Sequence, residues 1–231
     1  MTAAGMGPWR NMPEFTVTFG KDAPPPEDGR LDAAAFHRNH AAIAPVLEAF
    51  LRDRADDVLE VGSGTGQHAV AFAERLPAVA WWPTDLNDSH LRSIVAWRAH
   101  ARLANLRAPV RLDASATDWH LPALGLPAEF TAMFCANVIH ISPWAVAEGL
   151  FAGAARHLTE DGALFLYGPF KRDGQHNAPS NAAFDESLRR QNPDWGVRDV
   201  AELRTLAAAN GLYLAQLSEM PSNNAILIFG R

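Results

Sequence analysis

Asp56-Asp57-Val58-Leu59-Glu60-Val61-Gly62-Ser63-Gly64-Thr65-Gly66 carries an apolar strand signal into three alternate glycines, and a helical pattern follows from Gln67 to Leu76. Strand, tight turn and helix in that order make the first βα unit of a nucleotide-binding α/β sheet. Glycine belongs where a turn demands positive φ, and where a Cβ would hold a ligand away from the backbone.

Spacing narrows the choice of ligand. A dinucleotide turn reads G-x-G-x-x-G and sets a diphosphate on the helix N-terminus. Here the third glycine, Gly66, comes one residue early, Gln67 follows it, and Glu60 stands two residues before Gly62. The resulting E-x-G-x-G-x-G resembles the first motif of class I S-adenosylmethionine-dependent methyltransferases. That resemblance implies that Glu60, Gly62, Ser63, Gly64, Thr65 and Gly66 hold S-adenosylmethionine, a nucleoside bearing an amino acid and no phosphate. Glycines also serve ordinary turns, so the remainder of the chain has to weigh the two readings.

At 231 residues the chain is long enough for one α/β domain with a sizeable core and short for two. With 48% hydrophobic and 20% charged residues it reads as an ordinary globular protein. A net charge of −6 argues against nucleic acid or an anionic membrane as partner. The lone cysteine, Cys135, lies in the apolar run from Phe130 to Val138. It permits no intrachain disulfide and fits a reducing, cytoplasmic setting. No stretch approaches the ~18 apolar residues of a membrane span, and no export signal is expected.

Residues 1–30 mix glycine, proline and charge and are expected to form a tail or mobile arm, with the alternating Phe15, Val17 and Phe19 suggesting a short edge strand. Residues 31–231 are expected to form the domain. Leu31 to Arg52 has helical spacing, with Asp32 as an available N-cap and Pro45 expected to break or kink the helix. Arg38 and Asn39 sit on it, either against the cofactor or on a solvated face.

The second strand runs from Ala78 to Asp85, whose carboxylate, 19 residues after Gly66, can accept from ribose hydroxyls or cap the next helix. Leu86 follows it at the same turn. Val110 to Ala114 marks a third strand. Phe130 to Ile139 is continuous and apolar, as a strand buried on both faces should be. Ser142 and Pro143 read as a cap and first residue of a helix, and Thr159 to Gly162 as a turn into a fifth strand, Ala163 to Tyr167. Helices are expected at Ser180 to Gln191 and Asp199 to Asn210, then strands at Leu212 to Leu217 and Ala225 to Phe229, whose short connection requires antiparallel pairing.

Residues 30–231 resemble the methyltransferase-like protein twenty-six family. The matching strings are Arg38-Asn39, Leu59 through His68, Trp82-Pro83-Thr84-Asp85, Asn137 through Trp144 and Tyr167-Gly168-Pro169-Phe170. They continue with Ser180-Asn181, Phe184-Asp185, Ser187-Leu188-Arg189 and Trp195 through Asp199; residues 1–29 match no part of the pattern. The resemblance implies a Rossmann-like class I methyltransferase sheet of seven strands, mostly parallel with the last antiparallel, and helices on both faces. It also implies that Arg38, Asn39, Asp85, Leu86, Asp113, Ala114 and Asn137 join the glycine loop around the cofactor. Asp113 is where class I members often accept from the adenine amino group, an exocyclic donor; equally, it can cap a turn with Ser115 and Thr117.

Methyl transfer from a sulfonium is an in-line displacement in which alignment supplies much of the acceleration. A base matters only if the acceptor is protonated at working pH. His140 is the candidate base, with Tyr167 beside it, and Phe170, His176 and Asn181 are further substrate candidates. His140 can equally pack or cap the following helix. The string Asn137-Val138-Ile139-His140 is unlike the Asn/Asp-Pro-Pro-aromatic motif of enzymes that methylate amino groups of adenine or glutamine, which with the acidic charge favours a small molecule or a protein side chain over nucleic acid, the small molecule being the expected acceptor. No metal is expected, because His37 and His40 lack a third ligand at suitable spacing. A cofactor-binding sensor or partner subunit without turnover is the alternative, and an NAD-linked oxidoreductase is disfavoured by the position of Gly66.

Overall fold

The computed structural model describes residues 28–231, so the segment around Phe15, Val17 and Phe19 lies outside the described residues. In chain order the elements begin α1 (Ala34–Leu51), β1 (Asp57–Val61), α2 (Gln67–Arg75), β2 (Ala80–Asp85), α3 (Asp88–Ala101), β3 (Val110–Arg111) and β4 (Phe130–Ala136). They continue with α4 (Trp144–His157), β5 (Leu158–Gly168), the small hairpin β6 (Lys171–Arg172) and β7 (Gln175–His176), then α5 (Pro179–Gln191), α6 (Val200–Ala209), β8 (Tyr213–Met220) and β9 (Asn224–Gly230).

Seven strands form one sheet in the order β3-β2-β1-β4-β5-β9-β8. β9 runs antiparallel to both of its neighbours, and the pairings from β3 through β5 are parallel. This is the expected sheet, closed by a hairpin that inserts its second strand between the first and β5. One core packs α1 and α2 against Val58, Trp81, Phe134 and Phe165; the other packs α4 and α6 against Leu59, Met133, Leu164 and Phe229. Alternation of side chains along β1, β4 and β5 supplies both faces.

Several boundaries differ from those the sequence suggests. α1 continues through Pro45 without a break. Pro45 is exposed, so the carbonyl it leaves unpaired can be met by water. Ala33, with no side-chain bond, stands at the N-cap in place of Asp32. α4 begins at Trp144 with Pro143 as its cap residue, and the Ser142 hydroxyl instead donates back to the Val138 carbonyl at 2.7 Å. β3 stops at Arg111, because the Asp113 side chain closes a turn on Ser115. β4 stops at Ala136, because Asn137 takes a left-handed φ of 62° and starts a 3-10 turn over Val138–His140. β5 begins early, at Leu158, and takes up Thr159–Gly162 as an irregularity between the Phe130 and Ala132 pairings.

Pairing of Val61 with Thr84, Glu60 with Phe134 and Ala136 with Tyr167 brings the ends of β1, β2, β4 and β5 to one edge. In an open parallel sheet that carboxyl edge is where a ligand sits.

Candidate functional site

All three loop glycines have positive φ: 72° at Gly62, 56° at Gly64 and 90° at Gly66. Their surroundings separate their roles. A Cβ on Gly62 would lie 2.5 Å from Val138 Cγ2, and one on Gly66 would lie 3.0 Å from the Ile94 Cα, so these two glycines permit close packing. A Cβ on Gly64 would meet nothing within 4 Å among the described residues. The middle glycine faces open space at the sheet edge, the cradle a nucleoside needs.

Asp85 borders that space. It is 8% exposed. Its Oδ2 accepts from the Gly64 N–H at 2.8 Å, and its Oδ1 accepts from the Asn87 N–H at 2.8 Å and lies 3.2 Å from His90 Nδ1. The cap of α3 is Asn87, whose Oδ1 accepts from the Ser89 N–H at 2.7 Å, so the capping expected of Asp85 falls to its neighbour; Asp85 organises the turns after β1 and β2, and its carboxylate keeps spare acceptor capacity. Leu86, beside it, is 41% exposed, an apolar surface next to an acceptor. Asp113 Oδ1 accepts from the Ser115 N–H at 2.9 Å and the Ser115 hydroxyl at 2.6 Å, so its turn-closing role is present, with Ala114 half-buried behind it.

Glu60 lies behind the loop. It is 2% exposed and accepts from the Trp81 indole N–H at 2.7 Å. Burial, with a smaller contribution from the charge of Asp85, pushes its carboxyl up to about 8, against which the Trp81 and Ser63 hydrogen bonds work. An unfolded Glu loses its proton near 4.5, whereas the folded one keeps it to about 8. Between those values the folded state binds more protons, so stability falls as pH rises through the window. Glu60→Gln, which keeps an acceptor for Trp81, should therefore leave stability unchanged near pH 4.5. Its gain should grow to the order of a few kcal/mol by pH 8, as read from urea unfolding across the pH series.

The substrate candidates separate into two groups. Tyr167 belongs to the core on the α1 side, where the Asn39 and Asn224 side chains and the Arg38 charge act on its hydroxyl. Burial raises the Tyr167 pKa above its ordinary value, and those three groups oppose it. Asn39 is buried, and its Oδ1 lies 2.7 Å from His68 Nε2; Arg38, the preceding residue, is exposed. These residues make a polar wall on one face of the edge.

His140 lies apart from Tyr167, against Phe170, which belongs to the opposite core. Its side chain is fully buried, its Nδ1 accepts from the Arg198 N–H at 3.4 Å, and its Nε2 has no hydrogen-bond partner among the described residues. Burial and the Arg198 charge push its pKa down to about 3. A buried neutral imidazole whose lone pair at Nδ1 already accepts a bond fits the packing reading of His140. The His140 ring packs on the β5 end, where a Cβ on Gly168 would fall 2.4 Å from Nε2, so Gly168 is required by packing. Asn137 shapes the same corner: its N–H donates to the Tyr167 carbonyl at 2.8 Å.

His176 and Asn181 are structural partners. Buried Asp185 gathers Lys171 Nζ at 2.9 Å, His176 Nε2 at 3.2 Å and Arg189 Nε at 3.2 Å. Burial acts to raise its pKa, but Lys171, the Val197 N–H and Arg189 outweigh it and hold the carboxyl below its usual range. Asn181 Nδ2 donates to Asn177 Oδ1 at 2.7 Å and to the Asn223 carbonyl at 2.8 Å, tying α5 to the closing hairpin.

Sequence reasoning missed the strut at Trp195–Asp199. Arg198 donates to the Ile139 and Ser142 carbonyls at 2.8 and 2.6 Å, and Asp199 caps α6 while accepting from the Gly174 N–H at 2.6 Å. The string Trp195-Gly196-Val197-Arg198-Asp199 was visible, but what it holds, the turn after β4, is more than fifty residues away.

The calicheamicin-biosynthesis methyltransferase CalO1, in its SAH-bound form, is 17% identical to the chain, covering 82% of this chain and 53% of that one with a TM-score of 0.63. The O-methyltransferase family 2 protein from Planctomyces limnophilus, in complex with apigenin, is 16% identical over 83% and 56%, TM-score 0.69. NcsB1, an O-methyltransferase from neocarzinostatin biosynthesis in complex with S-adenosylmethionine and 2-hydroxy-5-methyl naphthoic acid, is 18% identical over 83% and 56%, TM-score 0.61. The chain spans a little over half the length of these solved structures, and the likeness is one of fold. In sequence, residues 30–231 match the model of the family described as "Protein of unknown function (DUF938)", and the chain belongs to that family.

Proposed function

We propose that this chain is an S-adenosylmethionine-dependent methyltransferase acting on a small-molecule acceptor. The observation that carries the reading is the open face at Gly64, bordered by Asp85, on a sheet of methyltransferase order. A nucleoside fits there: the backbone can be approached at Gly64, Asp85 offers a carboxylate to ribose hydroxyls, and Leu86 offers an apolar surface to a base. Asp113 and Ala114 complete the adenine side. When bound, the cofactor supplies an activated methyl group for in-line displacement by the acceptor.

The residues of the chain bind and align. Gly62, Ser63, Thr65 and Gly66 shape the loop, with Glu60 supporting it from behind, and Asn137 fixes the turn beside it. Tyr167, Asn39 and Arg38 line the edge beyond β4, on the side where an acceptor would meet the methyl. With His140 sealed away, alignment carries the rate and an acceptor acidic enough to ionise by itself is favoured. The solved structures with apigenin or a hydroxynaphthoic acid support a small acceptor of that sort. The net charge of −6 speaks against nucleic acid, and no helix among the described residues is long and apolar enough to cross a membrane. The lone buried thiol, Cys135, suits a reducing setting and supports a cytoplasmic location.

Melting curves test the reading. S-adenosylmethionine and its demethylated product should each raise the melting temperature, and NAD should not; indifference to all three would overturn it. The sealed His140 favours, as a second reading, a cofactor-binding protein without turnover. Methyl transfer from labelled cofactor into a metabolite extract would exclude that second reading.

A further inference from the structure

Gln67 follows the last glycine of the loop, and nothing in the nucleoside reading uses it. Its side chain is buried, 4% exposed, and bonded at both its oxygen and its nitrogen. Oε1 accepts from the Ala33 N–H at 2.7 Å and the Thr65 hydroxyl at 3.0 Å, while Nε2 donates to Asp32 Oδ1 at 2.6 Å. Ser93 in α3 makes a parallel link: its Oγ accepts from the Leu31 N–H at 2.8 Å and donates to the Thr65 carbonyl at 2.7 Å. Trp97 Nε1 donates to the Leu31 carbonyl at 2.8 Å, and the Arg30 guanidinium lies 4.7 Å from the Trp97 ring.

Leu31–Ala33 is therefore a strap laid against the glycine loop, and both buried side chains that hold it also hold Thr65, the residue after Gly64. Removing the strap would leave Gln67 and Ser93 short of the partners that fix them, and these are the two side chains that hold the Thr65 hydroxyl and carbonyl. Loop shape and strap position are thus linked. A ligand that favours the shaped loop must favour the closed strap by the same factor.

We infer that Gln67 is a positioning residue that locks the strap Leu31–Ala33 to the glycine loop and thereby slows release of the cofactor. The inference rests on the reading of the loop as an S-adenosylmethionine site. Two measurements on the full chain test it: the release rate of S-adenosylhomocysteine by stopped flow, and tryptic cleavage at Arg30–Leu31 with and without that ligand.

In the wild type the ligand should slow the cut at Arg30. Gln67→Leu should release the ligand about tenfold faster, equivalent to the loss of about 1.4 kcal/mol, and should abolish the protection. The pair Gln67→Glu with Asp32→Asn reverses donor and acceptor and should restore both. Ser93→Ala should act in the same direction and serves if Gln67→Leu does not fold. Variants that lower the melting temperature but keep wild-type release and protection would overturn the inference. A wild type that fails to bind the ligand would overturn the cofactor reading itself, and is seen before any variant is made.

Discussion

Gly64→Val is expected to abolish binding of S-adenosylhomocysteine while the chain remains folded. Among the described residues, and apart from its chain neighbours, no atom lies within 4 Å of the new Cβ, so the added side chain starts into open space. Its cost to stability comes from a φ of 56°, about 1–2 kcal/mol for an L residue in the left-handed region. The added methyls project into the space assigned to the nucleoside, and a loss of about 100-fold or more in affinity, near 2.7 kcal/mol, is expected by calorimetry. Gly62→Val makes the informative contrast, because its Cβ would strike Val138 at 2.5 Å. That variant should lose stability first. Equal affinity for ligand in wild type and Gly64→Val would remove the loop from the site.

Asp85→Ala is expected to weaken the same ligand by about 1–3 kcal/mol, or roughly tenfold to a hundredfold. Two effects add: hydroxyl acceptors are lost, and the Gly64 and Asn87 N–H groups lose the carboxylate that sets the turns after β1 and β2. Asp85→Asn should be nearly as damaging, because each carboxylate oxygen faces a backbone N–H and an amide must turn its NH2 toward one of them. Calorimetric titration of both variants, with melting temperatures alongside, checks the point. Unchanged affinity in Asp85→Ala would leave Asp85 only its turn-forming role.

The parts of this molecule that were legible in its sequence are those whose causes are local. Alternating glycines after Val58-Leu59-Glu60-Val61 specify a turn within a few residues, and the run Phe130 to Ile139 is long and apolar enough to require a central strand, though its last three residues turn off into a 3-10 segment. The closing hairpin follows from a connection too short for a crossover. Less was legible where partners come from far along the chain. Gln67 is an unremarkable first helical residue until Asp32 and Ala33 are brought to it, and the Arg198 N–H that reaches His140 Nδ1 comes from far along the chain. Capping preference suggested Asp32 and Ser142, but Gln67 and the Val138 carbonyl compete for their side chains. Tyr167 was placed at the correct edge, but alternation along β5 sends it to the α1 face, away from His140.

A crystal structure of the chain with S-adenosylhomocysteine tests the central claim most directly. The nucleoside should lie over Gly64 with its ribose hydroxyls on Asp85, and the sulfur should point along the edge toward Tyr167. A ligand bound elsewhere, or a loop that stays empty at saturating concentration, would contradict the assignment of Glu60 through Gly66 as the cofactor loop.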